Sequence, residues 1–308
     1  MGTVVVTGAN GMLGKTVCDK FKSQGVEVIE VTRQKVNLMD ANKTFDYLSK
    51  YDIDLIIHCA AVVGGIQANI NGGTKFFTDN VRIDSSVLFA GKALGVENLI
   101  YIGSSCMYPA NINHPLKENE ILTSPVESTN ENYALAKIFG ARLTTSIAIE
   151  NNLNWRVFIA SNLYGPYDHF GTDKSHLLAA VIKKSIEAKE KRDSKIDMWG
   201  DGSPKREFTY VTDFADWIFN SSKILNKLPH VLNTGIGEDY SVIEYYNKVL
   251  NTIGYSCEIV ANKSKANGNM RKLMDSSLAI RFGWNPKVNI DEGIKKTIDW
   301  YLLNKMEI

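Results

Sequence analysis

Tyr133 and Lys137 lie four positions apart in the stretch ENYALAKIFGARL (131–143), which has a helical pattern. Residues four apart share a helix face, so the lysine ammonium can lie near the tyrosine phenol. A free phenol has a pKa of about 10 and transfers protons poorly at neutral pH. We therefore expect Lys137 to lower the pKa of Tyr133, so that the phenol can donate or accept a proton during hydride transfer.

A second reactive stretch is YIGSSCMYP (101–109), where a predicted buried strand ends. Ser104 supplies a hydroxyl that can hold the same carbonyl oxygen as Tyr133. Cys106 follows at the opening of a loop, a less common place for a structural thiol. The other three cysteines show no metal-like spacing, so we interpret them as reduced thiols and expect no metal site: Cys18, Cys59 and Cys257.

The glycine-rich stretch TGANGMLG places Gly8, Gly11 and Gly14 after the first predicted strand and at the start of a predicted helix. Glycine allows a tight turn and a close approach of backbone to a pyrophosphate, and the helix N-terminus supplies N–H groups to the phosphates. The order strand, glycine loop, helix therefore predicts a dinucleotide site.

The end of the second predicted strand, VIEVTR, indicates which dinucleotide is bound. NAD sites place an acid at this strand tip, whereas a nearby Arg accommodates a 2′-phosphate. Glu30 lies one step inside the strand, and the tip carries Thr32 and Arg33. We expect NADP(H), with Arg33 as an ordinary surface cation being the alternative.

Apolar β-branched runs alternate with amphipathic stretches through the first half of the chain. This pattern predicts an α/β fold with a doubly wound parallel sheet covered on both faces. After about residue 165 a helix (175–190), a strand–turn–strand stretch and a mainly helical segment (241–308) follow. We expect a Rossmann domain over 1–165 with a return segment at about 211–238, and a smaller substrate domain over 166–210 and 239–308.

Composition narrows the function classes. The 308 residues are 44% hydrophobic and 22% charged, with a net charge of +1 and no long basic run, so nucleic-acid binding is not expected. No stretch approaches the length of a membrane span, and the start runs directly into a predicted strand. We therefore expect a cytoplasmic protein.

The set of Ser104, Tyr133 and Lys137 behind TGxxGxxG resembles the extended short-chain dehydrogenase/reductase superfamily over nearly the whole chain. The resemblance implies a Rossmann domain for the cofactor and a smaller domain that holds a nucleotide sugar. Dehydratases of this superfamily carry Asp-Glu after the catalytic hydroxyl, where this chain has Ser105 and Cys106.

Seven segments in the right order closely resemble the GDP-L-fucose synthases, which are GDP-4-keto-6-deoxy-D-mannose 3,5-epimerase/4-reductases. These segments are AAVVGGIQAN (60–69), GSSCMYP (103–109), ESTNENYALAK (127–137), SNLYGPYDHF (161–170), SHLLAAVIKK (175–184), MWGDGSPKREF (198–208) and MRKLMD (270–275). The resemblance implies a GDP-linked 4-keto sugar as substrate.

The resemblance also implies roles for the reactive residues. Ser104, Tyr133 and Lys137 correspond to the reductase group, and Cys106 and His176 to the epimerase base and acid. A thiol whose pKa near 8.5 is lowered by adjacent positive charge can remove a C–H proton beside a ketone, and a histidine can return one from the opposite ring face. His169 is a second histidine in this part of the chain.

The remaining site residues follow from the same resemblance. The cofactor set is Gly8, Asn10, Gly11, Met12, Leu13, Gly14, Arg33, Ala60, Ala61, Lys137 and His176. The GDP-sugar set is Ser105, Asn162, Lys184, Trp199, Arg206 and Lys272. Arg206 and Lys272 can neutralise a pyrophosphate and Trp199 can form a wall for the base or sugar. Without the resemblance, Trp199 is expected to be a core or turn aromatic, and Arg206 a partner of Glu207 or Asp213.

Two departures from the family pattern widen the range of possible reactions. Asn10 stands where a basic residue is typical, and Lys184 stands where Arg is usual. The substrate can therefore be a related GDP-4-keto sugar, such as a heptose or a dideoxyhexose, and the reaction can be C4 reduction with or without epimerisation. The sequence is also compatible with an NAD-dependent 4-epimerase and with a non-catalytic NADP-binding protein.

The resemblance further implies a homodimer, formed through the two long helices near 74–94 and 130–150. These segments are amphipathic, which a buried core face explains equally well.

Overall fold

The structure is a computed structural model that describes residues 2–171, 175–264 and 268–306. The strands are β1 (Thr3–Thr7), β2 (Val28–Val31), β3 (Ile53–His58), β4 (Asn98–Ser104), β5 (Asn154–Ala160), β6 (Asn162–Tyr164), β7 (Lys195–Trp199), β8 (Lys205–Arg206), β9 (Phe208–Tyr210), β10 (Val231–Thr234), β11 (Tyr240–Ser241), β12 (Glu258–Asn262) and β13 (Arg271–Lys272). The helices are α1 (Met12–Ser23), α2 (Ala41–Leu48), α3 (Ile66–Ala93), α4 (Glu131–Asn151), α5 (Leu177–Lys191), α6 (Val211–Ser221), α7 (Val242–Ile253), α8 (Ser277–Arg281) and α9 (Ile290–Asn304).

Six strands form the main sheet in the order β10-β5-β4-β3-β1-β2, and every neighbouring pair is parallel. Their apolar β-branched side chains are buried on both faces, which is typical of parallel sheets covered by helices. The α/β class and the doubly wound parallel sheet are confirmed. The strand order reverses between β1 and β3, the place where ligands bind in folds of this kind.

Alternate residues of each strand enter different cores. Val5 packs in a cluster that includes residues of α2, α3 and α4. Val4 and Val6 pack in a second cluster with residues of α1, α6 and α8. Side chains alternate across a strand, so this segregation fixes which face each helix covers. The loops at the carboxyl edge of the sheet, between these two helix layers, are held from both sides.

A third hydrophobic cluster lies outside the main sheet, among α5, α7 and α9 and the short strands. β7 pairs with β12, while β8 pairs with β11 and β13. The two strands predicted on either side of the 200–204 turn are therefore present but do not pair with each other. The segment 241–308, predicted as mainly helical, also contains three strands, because β11, β12 and β13 complete these small sheets.

The two long helices differ in how closely they match the predicted bounds. α3 begins eight residues before the expected start near 74, with non-helical backbone angles at Gly72 (φ −127°, ψ 25°). α4 matches its expected span closely. None of the helices over residues 2–171, 175–264 and 268–306 is both long and apolar enough to cross a membrane.

Candidate active site

A cavity of about 570 Å³ opens at the carboxyl edge of the main sheet, at the reversal between β1 and β3. Its wall contains every residue that the sequence analysis assigns to the cofactor. It also contains Ser104, Tyr133 and Asn162 from the predicted catalytic and substrate sets. Parallel strands end at one edge, so residues far apart in sequence converge there.

The glycine loop is shaped by close backbone contacts. Gly8 has a φ of +68°, and a Cβ at this position would lie 2.8 Å from the backbone N and Cα of Ala60. A Cβ on Gly14 would overlap the Gly8 carbonyl group. The loop leads into α1, whose N-terminus has no side-chain cap. Met12, Leu13 and Gly14 at this N-terminus line the cavity, and the uncapped N–H groups of a helix start fit a dinucleotide pyrophosphate.

Arg33 lies at the carboxyl end of β2, exposed in the cavity wall. Within the described parts of the chain, no carboxylate forms an ion pair with it. Glu30 instead pairs with Lys22 on α1. Asn10 donates a hydrogen bond to Gln34 at 3.2 Å, which ties the glycine loop to the segment after β2. This edge presents a cation and no acid, which suits a 2′-phosphate.

Ser104 and Tyr133 meet across the cavity floor, where β4 ends and α4 begins. A hydrogen bond from Ser104 lowers the pKa of Tyr133, but burial, the larger influence, raises it well above its ordinary value, and the charges of Cys106 and Asp84 raise it further. The expectation of a lowered phenol pKa is therefore wrong for this structure, because burial outweighs the one stabilising contact.

Lys137 is nearly fully buried, with 3% of its surface exposed. Its ammonium lies 3.9 Å from the centroid of the Tyr101 ring, a cation–π contact that the sequence analysis missed. Burial lowers the pKa of Lys137. Among the charges that raise this pKa, that of Asp84 has the largest effect. The lysine thus depends on groups from other elements of the fold.

Cys106 forms a short 3-10 turn with Ser105 and Met107 directly after β4, and its N–H donates to the Ser104 hydroxyl at 3.4 Å. The side chain is 5% exposed and packs in the first hydrophobic cluster; the cavity wall includes neither Ser105 nor Cys106. Burial raises the pKa of the Cys106 thiol, while the charges of Lys272 and Lys137 and the Ser104 hydrogen bond lower it. The expected cations are present. The prediction of a lowered thiol pKa is nevertheless wrong, because burial raises the pKa of Cys106 more than these groups lower it.

His176 and His169 both line the cavity, on the segment that follows β6. Desolvation of the imidazole lowers the pKa of His176, and the charge of the nearby His169 lowers it further. His176 is therefore neutral at physiological pH and can accept a proton before it returns one. The same wall contains Asp168, which the sequence analysis did not single out. Burial raises the pKa of Asp168 to about 7, although the His169 N–H donates to it at 2.7 Å.

Arg206 and Lys272 are register partners on the adjacent strands β8 and β13. Glu127 forms an ion pair with Lys272 at 3.4 Å. Burial lowers the pKa of Arg206, and the charge of Glu127 opposes this lowering. Both side chains of the ion pair are largely buried, with 11% and 12% exposed. Arg206 donates to the Asn269 carbonyl at 2.6 Å. The structure therefore brings two of the predicted substrate residues together with a carboxylate that the sequence analysis missed.

Lys184 and Trp199 form a second pair. The Lys184 ammonium donates to the Asp197 carbonyl at 3.1 Å and lies 5.6 Å from the centroid of a Trp199 ring that is 52% exposed. Trp199 is thus a surface aromatic at the end of β7 and not a core one. Asn162 donates to the Glu207 carbonyl at 2.8 Å and lines the cavity.

The two carboxylates that could have partnered Arg206 are engaged by backbone groups. Glu207 accepts hydrogen bonds from the N–H groups of Gly237 and Met274. Asp213 accepts two from the N–H groups of residues 287 and 288. Both acids therefore serve to hold chain segments together.

Three acids that are largely or fully buried were missed by the sequence analysis: Glu127, Asp168 and Asp84. Each lies within a stretch that was otherwise assigned to a motif or a helix. Burial strengthens the effect of these acids on the charged groups around them. The order of residues in the sequence does not show how deeply an acid is buried.

Comparisons with known proteins agree with this geometry. The family described as "NAD dependent epimerase/dehydratase family" matches residues 4–235. A GDP-L-colitose synthase from Yersinia pseudotuberculosis is 41% identical over 303 residues, which cover 98% of each chain. A GDP-L-fucose synthase from Azorhizobium caulinodans is 38% identical over 97% of this chain and 96% of its own. The solved structure of a GDP-mannoheptose C4 reductase from Campylobacter jejuni with NADP bound has a TM-score of 0.89, at 27% identity over 98% of both chains.

Proposed function

Because the chain belongs to the NAD dependent epimerase/dehydratase family, we propose that it is an NADPH-dependent epimerase and C4 reductase of a GDP-4-keto-6-deoxy sugar, of the GDP-L-fucose synthase type. The observation that carries the proposal is the meeting of Ser104 and Tyr133 in the wall of the cavity that the cofactor residues line, with the Cys106 thiol hydrogen-bonded to Ser104 behind that wall. Likeness to a GDP-L-fucose synthase over nearly the full chain supports it.

The cofactor is NADP(H). Gly8 and Gly14 let the loop in the cavity wall pack closely, since a Cβ on either would overlap neighbouring backbone, and Arg33 lies where a 2′-phosphate would be held. We assign this cofactor to residues 1–165 with the return segment at about 211–238, and the GDP-sugar to 166–210 and 239–308. The packing of α6 and β10 on the main sheet and of α5, α7 and α9 in a separate cluster supports this division.

In the reduction step, Ser104 and Tyr133 hold the oxygen of the C4 ketone by hydrogen bonds. When bound, NADPH supplies hydride to the C4 carbon. Tyr133 gives its proton to the sugar oxygen as charge develops there, and the positive charge of Lys137 favours the phenolate that is left. Because burial raises the pKa of Tyr133, the phenol is fully protonated at neutral pH and is ready to act as the acid.

In the epimerisation step, Cys106 as the thiolate removes a proton from a carbon next to the C4 ketone, and the electron pair moves into the carbonyl as an enolate. His176, which is neutral beforehand, first takes up a proton from solvent; as the imidazolium it delivers that proton to the carbon from the other face and inverts it. Lys272 and Lys137 supply the positive charge that lowers the pKa of the thiol against its burial. Arg206 and Lys272 hold the diphosphate of GDP.

The test mixes the protein with GDP-4-keto-6-deoxymannose and NADPH in deuterated water, and follows both nicotinamide absorbance and the NMR spectrum of the product. We expect NADPH consumption and deuterium at each inverted carbon. Cys106→Ser should block deuterium incorporation yet still reduce a pre-inverted substrate, and Tyr133→Phe should do the reverse. Inversion that survives in Cys106→Ser would remove the thiol from the mechanism.

A second candidate substrate is a GDP-4-keto dideoxyhexose, favoured by the 41% identity to a GDP-L-colitose synthase. The same assay with the 3-deoxy substrate distinguishes the two candidates. A kcat/KM for the dideoxy sugar well above that for the 6-deoxy sugar assigns the chain to dideoxyhexose synthesis, and the opposite ratio assigns it to fucose synthesis. The GDP-sugar product is an activated donor for polysaccharide assembly.

We propose that the protein is a cytoplasmic homodimer whose subunits join through α3 and α4. These helices pack side by side and expose large apolar side chains on their outer surface: Phe77, Phe89, Leu135, Phe139 and Ile149. Leu135, Phe139 and Ile149 follow helical spacing along α4, as a helix–helix interface requires. The four free cysteines suit a reducing compartment.

Sedimentation of Phe89→Glu tests this interface, since a charge within it should yield monomers. Ile280→Glu is the control, because Ile280 is comparably exposed (59% against 54%) but lies on α8. A wild-type monomer, or a Phe89→Glu dimer, would contradict the proposed interface.

A further inference from the structure

A continuous set of buried polar side chains lies behind the proposed catalytic residues. Asp84 of α3 accepts a hydrogen bond from the Tyr101 hydroxyl at 2.7 Å on one oxygen and contacts His58 Nε2 at 3.0 Å on the other. His58 Nδ1 in turn lies 2.7 Å from the Thr7 hydroxyl. None of these four side chains is more than 1% exposed. Side chains from three strands and a helix are thus joined in the core of the sheet.

The hydrogen bonds can be satisfied with one distribution of protons. The Ala60 N–H donates to the Thr7 oxygen at 3.1 Å, which leaves the Thr7 hydroxyl proton available to His58 Nδ1. In that arrangement His58 Nε2–H donates to Asp84. Asp84 then accepts two hydrogen bonds, as a carboxylate does. The set therefore carries one buried negative charge, which requires a positive partner.

That partner is Lys137. Its ammonium lies over the ring of Tyr101, whose hydroxyl is bonded to Asp84. The helix that carries Lys137 reaches this position because residue 140 is glycine: a Cβ there would overlap both the Tyr101 hydroxyl and Asp84 Oδ2. α4 thus lies directly against the Asp84–Tyr101 pair, one turn after Lys137.

The electrostatic influences on Lys137 come from several elements. Asp84 of α3 and two thiols, Cys106 after β4 and Cys59 after β3, raise its pKa, and burial lowers it. Asp84 has the largest effect of the three groups that raise the pKa of Lys137. Its charge also raises the pKa of Tyr133, which lies one turn earlier on α4. His58 and Tyr101 face Asp84 from the sheet side.

We propose that Asp84 is a positioning residue for the reductase group: held by His58 and Tyr101, it is the buried counter-charge that keeps Lys137 protonated beside Tyr133. The inference rests on the proposed function only in that Lys137 serves the reduction. Asp84 acts through Lys137, and Tyr101 contacts both: its hydroxyl donates to Asp84 and its ring lies under the Lys137 ammonium.

The first experiment compares the pH dependence of kcat for NADPH-dependent reduction in wild type, Asp84→Asn and Asp79→Asn. Asp79 is the matched control, since it lies on the same helix and pairs with Lys75 near the surface. Asp84→Asn should move the alkaline limb of the profile down by about one pH unit or more, because Lys137 then loses its proton earlier. Asp79→Asn should leave the limb in place. A uniform fall in kcat with an unmoved limb would overturn the proposal.

Tyr101→Phe separates charge from hydrogen bonding. It removes one donor to Asp84 but keeps both the carboxylate and the ring under Lys137. The alkaline limb should therefore stay where it is in wild type. A downward shift as large as that of Asp84→Asn would show that hydrogen-bond geometry controls the protonation of Lys137. It would overturn the proposal that Asp84 acts as the counter-charge.

A third experiment needs neither NADPH nor a GDP-sugar and so separates this inference from the proposed function. Lys137→Met leaves the Asp84 carboxylate uncompensated. Its loss of stability in urea, relative to wild type, should grow as the pH rises from acid to neutral. In the double variant Asp84→Asn/Lys137→Met this growth should disappear. An equal deficit of Lys137→Met at every pH would overturn the proposal, even if every reductase assay succeeds.

Discussion

The two ends of the candidate site are built by different physical means. At the cofactor end, Gly8 and Gly14 allow the loop to pack closely, because a Cβ on either would overlap neighbouring backbone. At the sugar end, Arg206 and Lys272 are held around the carboxylate of Glu127. The cofactor end depends on glycines that lack a Cβ. The sugar end depends on a balance of charges from segments far apart in sequence. They should therefore fail independently and by different substitutions.

The largest expected effect, counting stability and cofactor binding together, is at the glycine loop. A Cβ in Gly14→Ala would overlap the Gly8 carbonyl, so the loop must open and its close packing is lost. We expect a loss of about 1–3 kcal/mol in unfolding free energy and NADPH binding weakened roughly 100-fold, measured by urea denaturation and fluorescence titration. GDP binding should persist. For the loss of stability Gly11→Ala is the control, since its Cβ would lie at an ordinary 3.4 Å from the Gly8 oxygen; equal losses of stability in both variants would contradict the steric account.

The next effect concerns the wall of the cavity at Asp168, whose pKa burial raises from 3.8 to about 7. Between these values the folded protein keeps a proton that the unfolded chain releases, so stability falls as the pH rises. Asp168→Asn cannot ionise and should flatten this fall, with a gain on the order of 3 kcal/mol over wild type at mildly alkaline pH.

Urea denaturation across the pH range measures this difference. Burial also raises the pKa of Glu207 to about 7, but Glu207 is present in both proteins, so subtracting the two curves isolates Asp168. A constant difference between the curves would show that the Asp168 carboxyl is not held protonated by burial.

Lys272→Ala tests the sugar end. It removes a cation and leaves Glu127 without its 3.4 Å partner. We expect GDP-sugar binding to weaken by about 2 kcal/mol, roughly 30-fold in KM, with the dissociation constant of NADPH unchanged. Lys205→Ala is the control on the adjacent strand β8, where the side chain is exposed. Loss of NADPH affinity in Lys272→Ala would mean that the two ends are coupled.

The smallest effect is at Arg33, on the rim of the cofactor end. Arg33→Ala should weaken NADPH binding by about 1.5 kcal/mol, roughly tenfold, and leave NADH binding unchanged, because only NADPH carries the 2′-phosphate. Lys35→Ala, in the same exposed segment, is the control. If both cofactors weaken equally, Arg33 supports the loop and does not select the cofactor.

The sequence predicted the parallel sheet and the cofactor cavity because their signals are local. A buried strand, a glycine turn and a helix start are contiguous in TGANGMLG, and the structure places the loop residues assigned to the cofactor in the cavity wall. The i,i+4 spacing likewise placed Tyr133 and Lys137 on one helix. The pKa expectations for Tyr133 and Cys106 were wrong in direction, because spacing indicates a neighbour but not the depth at which it is buried.

The sequence by itself determined the fold class, the alternating elements of the first half of the chain and the glycine loop at the carboxyl edge, since periodicity and glycine placement act over a few residues. Only the tertiary structure decided how charge is arranged around them. Asp84 becomes the partner of Lys137, and Glu127 that of Lys272, through the packing of helices and strands that lie far apart in the chain. Charge interactions act through space and are strengthened by burial, and neither distance nor burial can be read from the order of residues.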